Sequence, residues 1–354
     1  MMINRPKCLD YSVRFDMKYS GICHSDCTCG FNYLGGQKYP FVSGHEMCGV
    51  VTEVGPKVTK VKVGEWVGVG VLQDCCMDCK NCEKDEENYC RNSAVHAYGD
   101  AKDKGWPSHI GGNLGQQTFG GYTGSQCLHE RMILKYPEGF PMEKAGPVMC
   151  AGITMWDPLR HWGATKEGAA KMTIGIAGIG GLGTMGIKMA KALGHRIVAI
   201  SSSDKKKDLA TSKGADNFVN INDEASRKAE AGKIDLILST ISAHHDMQPY
   251  IDLLDIDGTV VMLGLVTEPM SFQQMSILPT RKSISSSMIG GIKATQECVD
   301  FCFKHQIYPD VELIEAKDID FIWNKLKSVN DTGLRYVIDI EKSKQNAEFM
   351  PKKE

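Results

Sequence analysis

The chain has 354 residues and a mass of 38.9 kDa, with 42% hydrophobic and 24% charged residues. This composition is typical of a soluble globular protein, and the length allows two domains of ordinary size or one large domain. Because 41 Lys and Arg nearly balance 43 Asp and Glu, for a net charge of -2, the chain has no overall attraction to nucleic acid or to an anionic membrane.

The start of the chain, residues 1–7, carries no apolar signal core, and no later stretch has the length and hydropathy of a membrane span. We therefore expect a cytoplasmic protein without nucleic-acid or membrane partners. In that reducing compartment, 14 cysteines are better explained by metal ligands than by disulfides. Cys298 and Cys302, at helical spacing, are interpreted as small buried side chains.

The first part of the chain, from about residue 40 to 150, is rich in glycine and in short β-branched alternations. Thr59–Val63 and the following Gly64–Val69 show this alternation. The pattern predicts small, twisted β-structure with tight turns.

From about residue 170 the pattern changes to buried strand, glycine-rich turn, helix and strand again. We predict, in chain order, strand Lys171–Ala177, helix Leu182–Leu193, and strands Arg196–Ile200, Ile234–Ser239 and Thr259–Gly264. Gly194 would stop the helix. Strands that alternate with helices at this spacing indicate βαβ units and a doubly wound parallel sheet.

Four cysteines recur at metal-ligand spacing: Cys76, Cys79, Cys82 and Cys90. Four thiolates complete the tetrahedral shell of one zinc ion and leave no open position, so the predicted site is structural. Cys75 could replace Cys76 in register, although the uniform three-residue step favours Cys76. The acidic residues between these cysteines argue against a nucleic-acid zinc ribbon.

A second group of potential ligands is spread along the chain. Cys23 and His45 each lie close to a glycine, and Cys150 follows far along the sequence. Two cysteines and one histidine would form a catalytic type of zinc site, open to water, substrate or a nearby carboxylate. Spacing alone leaves the alternative that each is an ordinary core residue.

Residues 178–183 read Gly-Ile-Gly-Gly-Leu-Gly, a G-x-G-x-x-G pattern between a predicted strand and a predicted helix. In this context Gly178 permits a tight turn, Gly180 lets backbone amides approach a pyrophosphate, and Gly183 lets helix and strand pack closely. The pattern therefore predicts a dinucleotide site.

The next strand ends in Ser201, Ser202 and Ser203, followed by Asp204 and the lysines 205–207. Hydroxyls and lysines suit a 2′-phosphate, so we infer NADP(H) rather than NAD(H). Asp204 is the counter-indication, and the lysines could instead begin a solvated helix.

Together these motifs resemble the zinc-dependent medium-chain alcohol dehydrogenases, and most closely their cinnamyl alcohol dehydrogenase-like, NADPH-preferring branch. The resemblance runs from about Val13 to Ile340, and its motifs occur in the order of the family. Besides the four-cysteine group, they are residues 21–26, 44–46, 150–154, 178–183, 201–203 and 335–339.

The resemblance implies three segments and two zinc ions in each chain. Residues 1–150 would form a GroES-like β-barrel catalytic domain with the structural zinc lobe, residues 151–292 a Rossmann NADP-binding domain, and residues 293–354 a return to the catalytic domain. The active site would lie in the cleft between the domains, and two chains would pair through their Rossmann sheets as a homodimer. The implied reaction interconverts a primary alcohol and its aldehyde, in the direction of aldehyde reduction.

The resemblance also assigns the catalytic metal centre. Cys23, His45 and Cys150 would hold the zinc, and Glu46 would be an alternate ligand that exchanges with water or substrate. Asp26 would orient His45 from behind. Zinc would polarise the aldehyde carbonyl as NADPH delivers hydride to carbon.

Ser25 would pass a proton to or from the substrate oxygen. The position of the histidine that relays this proton in many relatives is Thr28, so the relay would pass through water. The residues implied to line the cofactor are Ser25, Thr154, Gly178, Gly180, Gly181, Leu182, Gly183, Ser201, Ser202, Ser203, Lys206, Thr240, Gly264, Ser287, Met288 and Ile289.

Cys23 stands earlier in the chain than in relatives, which implies that the first barrel hairpin is missing and that barrel edges are exposed. Two alternatives stay open: Asp204 favours the first, and the missing hairpin and Thr28 favour the second. One is a zinc polyol dehydrogenase that uses NAD. The other is a catalytically impaired, zinc-stapled nucleotide-binding scaffold.

Overall fold

Two sheets organise the computed structural model, which describes residues 3, 5, 7–100, 109, 117–168, 170–328 and 333–346. Residues 1, 2, 4 and 6, within the start for which no signal core is expected, lie outside this description. None of the described helices combines the length and apolar character needed to cross a membrane.

The strands are β1 Ser12–Ile22, β2 Glu46–Val54, β3 Trp66–Val69, β4 Leu72–Asp74, β5 Val95–His96, β6 Ser125–His129, β7 Leu134–Lys135, β8 Thr173–Ala177, β9 Arg196–Ser201, β10 Asn217–Asn220, β11 Ile234–Ser239, β12 Leu254–Met262, β13 Ser283–Ser286, β14 Val311–Ile314 and β15 Arg335–Asp339.

The helices are α1 His24–Gly30, α2 Ala145–Pro147, α3 Ile153–His161, α4 Gly181–Ala192, α5 Lys207–Ser212, α6 Glu224–Glu230, α7 Gln248–Leu253, α8 Ile292–His305, α9 Ile319–Ser328 and α10 Ile340–Gln345. A π-helical turn, Val148–Gly152, joins α2 to α3.

The first sheet has seven strands in the order β14-β15-β1-β2-β3-β7, and β6 also pairs with β1. Strand β1 is central, because β2 pairs along one edge while β6 and β15 share the other. Val13, Phe15 and Met17 alternate along β1 and are all 0% exposed, so one face of the strand lies on the core. Strands β14 and β15 come from the end of the chain, so the chain returns to its first sheet.

Of the two β-branched alternations, Thr59–Val63 forms no strand, whereas Trp66–Val69 within the second forms β3. The backbone amides of Thr59 and Lys60 both donate to Oε2 of Glu130, at 2.8 Å each. These two amides donate to a side chain and so cannot pair with a neighbouring strand. The segment is a loop, and of its two valines only Val61 is buried.

The second sheet has six parallel strands in the order β10-β9-β8-β11-β12-β13. The chain moves outward from β8 through β9 to β10, then returns to the other side of β8 for β11, β12 and β13. The predicted doubly wound parallel sheet is therefore confirmed, with its switch point between β8 and β11. Gly194, at a φ of +88°, follows α4 as the predicted stop.

The two sheets meet through a shared hydrophobic core. Val148 and Ile153, from the π-helical turn and α3, pack there with Met185 of α4 and with Cys298 and Cys302 of α8. The two cysteines are 0% exposed, in agreement with their interpretation as buried apolar side chains.

Candidate active site

Four potential metal ligands from distant parts of the chain meet in one buried cluster. Candidate ligand atoms of Cys23, His45, Glu46 and Cys150 all lie within 4.8 Å of one another. The two sulfur atoms are 3.7 Å apart, and none of the four residues is more than 7% exposed. Thiolates and an imidazole in so compact a group fit zinc, and three such ligands leave a fourth position for water, substrate or a carboxylate.

The pairing of β1 with β2 brings the first ligands together. Cys23 follows the end of β1, His45 immediately precedes β2, and Gly21 lies opposite Glu46 in the antiparallel register. Gly44 has a φ of +101°, a conformation that favours glycine at the entry to β2. A Cβ at Gly21 would lie 2.0 Å from Oε2 of Glu46, so the carboxylate needs a glycine opposite it.

Cys150 reaches the cluster from the middle of the π-helical turn. Such turns are rare and are frequent at functional sites. A Cβ at Gly146, just before this turn, would lie 2.5 Å from the carbonyl oxygen of Glu46, so the close approach of α2 to β2 requires glycine. The sequence has no periodicity that distinguishes this turn from an α-helix.

Asp26 connects the cluster to the surrounding backbone. Its carboxylate is 0% exposed and lies within hydrogen-bond distance of five groups. They are the His45 Nδ1 (3.1 Å), Ser43 Oγ (2.7 Å), Gly44 N (3.1 Å), Cys23 N (2.8 Å) and Tyr122 Oη (3.1 Å). The Tyr98 hydroxyl is also 2.9 Å from Nδ1 of His45. With Nδ1 engaged by protein groups, Nε2 is the nitrogen left for a metal ion.

The electrostatic environment of the cluster favours a thiolate at Cys23. The hydrogen bond between the two thiols lowers the pKa of Cys23 well below its usual value, with help from the charge of Arg335, and it raises the pKa of Cys150. Burial opposes a charge on His45, but the Asp26 carboxylate outweighs burial and raises the pKa of His45. Since thiolates rather than thiols bind metals, Cys23 is prepared as a ligand.

The guanidinium of Arg335 lies between the cluster and the glycine loop, a role that is not predicted from the sequence. Its Nη1 is 3.2 Å from Oε1 of Glu46, and a Cβ at Gly181 would lie 3.2 Å from its Nε. Burial, opposed by Arg335, raises the pKa of Glu46 to about 7. Among the described residues, Oε2 of Glu46 and Nε and Nη2 of Arg335 have no hydrogen-bond partner, and Oε1 of Glu46 has only its ion pair with Arg335. Buried polar atoms rarely stay unpaired, so these atoms mark positions for bound groups.

Ser25 and Thr28 lie on α1, which begins directly after Cys23. Ser25 is exposed, and its hydroxyl lies 3.7 Å from the sulfur of Cys23. The Thr28 hydroxyl donates to the carbonyl of His24, one turn earlier, at 3.2 Å. Ser25 is therefore the hydroxyl beside the cluster, while the hydroxyl at the relay position is engaged within its own helix.

The second cysteine group forms what we call the cysteine lobe, residues 75–94 between β4 and β5. The sulfurs of Cys76, Cys79, Cys82 and Cys90 lie within 4.8 Å of one another, with hydrogen-bonded pairs 3.4–3.9 Å apart. Backbone amides, including those of Cys82 and Arg91, outweigh burial and lower the pKa of Cys79 to about 6. The group contains Cys76 rather than Cys75, whose pKa burial raises to about 12.

The glycine loop has the geometry that its pattern predicts. Gly178 has a φ of +86°, and its carbonyl accepts the hydroxyl of Thr240 at 3.0 Å. A Cβ at Gly183 would lie 2.0 Å from the Gly178 oxygen, whereas a Cβ at Gly180 would meet only open space. The loop thus packs tightly on its helix and leaves the middle glycine open to an approaching group.

The other predicted cofactor residues gather at one edge of the parallel sheet. Ser201 ends β9 and precedes Ser202 and Ser203, while Lys206 closes the 3-10 turn that follows. Three further groups lie just beyond strand ends: Thr240 directly after β11, Gly264 one residue further on after β12, and Ser287, Met288 and Ile289 after β13. Gly181 and Leu182 begin α4, and Thr154 lies in the first turn of α3. The carboxyl edge is where such sheets bind nucleotides.

Comparisons with known proteins agree with this architecture. Residues 10–138 match the family described as alcohol dehydrogenase GroES-like domain, and residues 181–304 match zinc-binding dehydrogenase. A "Probable cinnamyl alcohol dehydrogenase" of Lolium perenne is 39% identical over 323 residues, which cover 91% of this chain and 85% of that protein.

Two solved structures are also similar along nearly the whole chain. A cinnamyl alcohol dehydrogenase from Sorghum bicolor has a TM-score of 0.89 at 33% identity, with 96% of this chain and 93% of that chain covered. One from Helicobacter pylori, complexed with NADP(H), has a TM-score of 0.85 at 34% identity, with 95% and 92% covered.

The chain belongs to the zinc-dependent medium-chain alcohol dehydrogenases, in their cinnamyl alcohol dehydrogenase-like branch. The resemblance found in the sequence is confirmed, as are the GroES-like and Rossmann parts of the fold. The protein is therefore a zinc-dependent oxidoreductase of alcohols and aldehydes.

Proposed function

We propose that this protein reduces an aldehyde to a primary alcohol with NADPH, at a zinc ion held by Cys23, His45 and Cys150. The observation that carries the proposal is the buried group of two thiols and one imidazole. Arg335 supports it, since its guanidinium lies beside both this group and the first turn of the nucleotide-loop helix. Glu46 would occupy the fourth position when substrate is absent.

In the proposed reaction, the zinc ion and NADPH have one set of roles and the side chains of the protein have another. Zinc, when bound, polarises the carbonyl oxygen as a Lewis acid, and NADPH supplies the hydride. Ser25 holds a proton on Oγ and donates it to the substrate oxygen as the hydride arrives. Asp26 keeps Nδ1 of His45 engaged, so that Nε2 faces the metal position. With Thr28 at the relay position, water returns the proton to Ser25.

Arg335 would neutralise the cofactor pyrophosphate at the glycine loop. Its unpaired Nε faces Gly181 at the start of α4, and anions bind favourably at helix starts that also carry an arginine. The four sulfurs of the cysteine lobe would hold the second zinc ion, which with no open position would be structural.

Steady-state kinetics of metal-replete protein tests this function. We expect turnover of aldehydes with NADPH, and two zinc ions per chain by elemental analysis. Preference for NADH with polyols would instead favour the polyol dehydrogenase alternative. No turnover with either cofactor, at full zinc content, would favour the non-catalytic scaffold.

Lys206 provides a sharper test of the cofactor. If it contacts the 2′-phosphate, Lys206→Ala should raise the KM for NADPH about tenfold or more, because hydrogen bonds to charged groups are strong, and should leave the KM for NADH unchanged. Lys228→Ala is a matched control, since Lys228 is an exposed lysine that pairs with Glu224 on α6.

We further propose a cytoplasmic homodimer with domain boundaries at about residues 150 and 292. The free edge of β13, at the end of the second sheet, supports pairing of two chains. Four exposed apolar side chains precede it, namely Leu265, Phe272, Met275 and Leu278. Cysteines at metal-ligand spacing suit a reducing compartment. Light scattering coupled to size-exclusion chromatography gives the oligomeric state.

A further inference from the structure

The cysteine lobe forms hydrogen bonds with both the backbone carbonyl and the backbone amide of Met288. The Asn88 side-chain amide donates to the Met288 carbonyl at 3.0 Å, and the Met288 amide donates to the Tyr89 hydroxyl at 3.1 Å. Both polar groups of this one peptide position are therefore paired with adjacent lobe residues. Asn88 is 6% exposed, and 199 or 200 residues separate the partners, so the contact joins the lobe to the second sheet.

The next residue has a conformation that needs such support. Ile289 has a φ of +48°, a region that β-branched side chains rarely adopt because of steric repulsion. Strained positions of this kind persist only where surrounding contacts fix them, and they are frequent at functional sites.

The lobe also fixes the chain directly after Ile289. Oε2 of Glu87 accepts the Ile292 amide at 2.9 Å, while Oε1 accepts Nε of Arg131 at 2.9 Å. A Cβ at Gly291 would lie 1.8 Å from the carbonyl oxygen of Asp85. The lobe thus forms hydrogen bonds with main-chain groups of Met288 and Ile292, and its close approach between them requires glycine at position 291.

The held segment lies at the end of the cofactor edge that is closer to the metal cluster. The Ser287 hydroxyl donates to Asp157 of α3 at 3.1 Å, and α3 directly continues the π-helical turn that carries Cys150. The serines after β9 are four strand positions away from β13. With neighbouring strands about 4.8 Å apart, the two groups are separated by roughly 19 Å.

We infer that Asn88 and Tyr89 of the cysteine lobe are positioning residues for the nicotinamide half of the cofactor. They hold Met288 and, through it, the strained Ile289 in the conformation that receives the ring. The inference rests on the proposed role of Ser287–Ile289 in lining the cofactor. It gives the cysteine lobe a function in hydride transfer beyond stapling the chain.

Two small substitutions test the inference in the zinc-loaded full-length protein. Tyr89→Phe removes only the acceptor hydroxyl from a side chain that is 42% exposed, and Asn88→Leu removes the donor with little change in shape. Tyr11→Phe is the matched control, because Tyr11 is 44% exposed and lies against Lys57, in the turn after β2. Elemental analysis verifies that each variant keeps the zinc content of the parent.

The readout is the affinity for NADPH compared with the affinity for adenosine 2′,5′-bisphosphate, which carries only the adenosine end. We expect each variant to weaken NADPH binding about fivefold, as loss of one hydrogen bond does, and the double variant to weaken it further. Affinity for the bisphosphate and the KM for aldehyde should stay unchanged. Tyr11→Phe should match the parent in every measurement.

Equal losses for NADPH and the bisphosphate would overturn the inference, because they would indicate general loosening of the fold. Unchanged NADPH affinity in both variants, with an active parent, would also overturn it while leaving the proposed function intact. A parent that neither binds NADPH nor reduces aldehydes would overturn the proposed function and this inference together.

Discussion

Oδ1 of Asp26 lies 3.1 Å from Nδ1 of His45, and the same oxygen accepts the backbone amide of Gly44, the residue before it. The carboxylate thus fixes the imidazole and the backbone that carries it at once. Oδ2 accepts the amide of Cys23. One buried side chain therefore sets the position of two of the proposed zinc ligands.

Asp26→Asn should weaken catalytic zinc binding by about 10- to 100-fold, the usual effect of losing a carboxylate behind a ligand histidine. The side-chain NH2 of the asparagine would face the Cys23 amide, the Gly44 amide or the Ser43 hydroxyl, which themselves donate to Asp26. Zinc content after dialysis against graded chelator should fall from two ions to one per chain. Asp10→Asn, at an exposed pair with Lys57, should keep both ions; loss of both ions in Asp26→Asn would indicate unfolding instead.

Ser25→Ala should lower kcat for aldehyde reduction by about 100-fold or more, the range for loss of a proton-transfer group. Zinc content should be retained, since among the described residues the exposed Ser25 hydroxyl lies within hydrogen-bond distance of the Cys23 sulfur alone. Ser25→Thr keeps a hydroxyl and should recover part of the rate. An alanine variant as fast as the parent would remove Ser25 from the mechanism.

Thr28→His should add an ionisation to the pH profile of alcohol oxidation. A half-exposed imidazole there would have an ordinary pKa of about 6.5. As a neutral base above that pH it would accept the proton that otherwise leaves through water, so kcat should rise through this region relative to the parent. Thr28→Asn provides a side chain that does not titrate, and it should reproduce the parent profile.

Glu230→Gln should make the free energy of unfolding less dependent on pH in the acid range. Burial opposes ionisation of Glu230, but hydrogen bonds from Arg196 and Asn217 outweigh burial and lower its pKa. The unfolded chain therefore takes up a proton first, and this stabilisation is complete above the ordinary pKa of 4.5 and is lost as pH falls through the lower folded value.

At pH 7 we expect Glu230→Gln to cost about 1.5–3 kcal/mol in free energy of unfolding, and the difference from the parent should shrink toward pH 3.5. Urea unfolding at a series of pH values measures both. A difference that does not vary with pH would show that the carboxylate charge is not the source.

The sequence predicts the four central strands of the second sheet, β9, β8, β11 and β12, because they contain continuous apolar runs with glycine between strand and helix. Strand β11 has the predicted bounds, Ile234–Ser239. Strand β12 begins earlier than predicted, at Leu254, because Asp257 adopts a φ of +62° and bends the strand in a polar stretch that does not resemble one. The hydrophobic periodicity and the spacing of glycines predict regular strands and helices, but they do not predict such irregularities within a strand.

The candidate site is predictable only where ligands and motifs are local. The cysteine lobe can be recognised from spacing, whereas Cys23, His45 and Cys150 are recognised through family resemblance, since strand pairing and a π-helical turn bring them together. Arg335 appears in a motif without a role, because nothing in the sequence indicates that β15 places it beside Glu46. The contacts of Asn88 and Tyr89 with Met288 leave no pattern at all, since they recognise main-chain atoms.

The position of Arg335 in β15, after all three proposed zinc ligands in the sequence, has a consequence for biosynthesis. A ribosome completes Cys23, His45 and Cys150 long before it makes β15, so a nascent chain can present two sulfurs and an imidazole without the cation that lies beside them. If zinc bound at this stage, it would bind before the guanidinium of Arg335 pairs with the carboxylate of Glu46. A strand translated after all three ligands therefore completes their electrostatic environment.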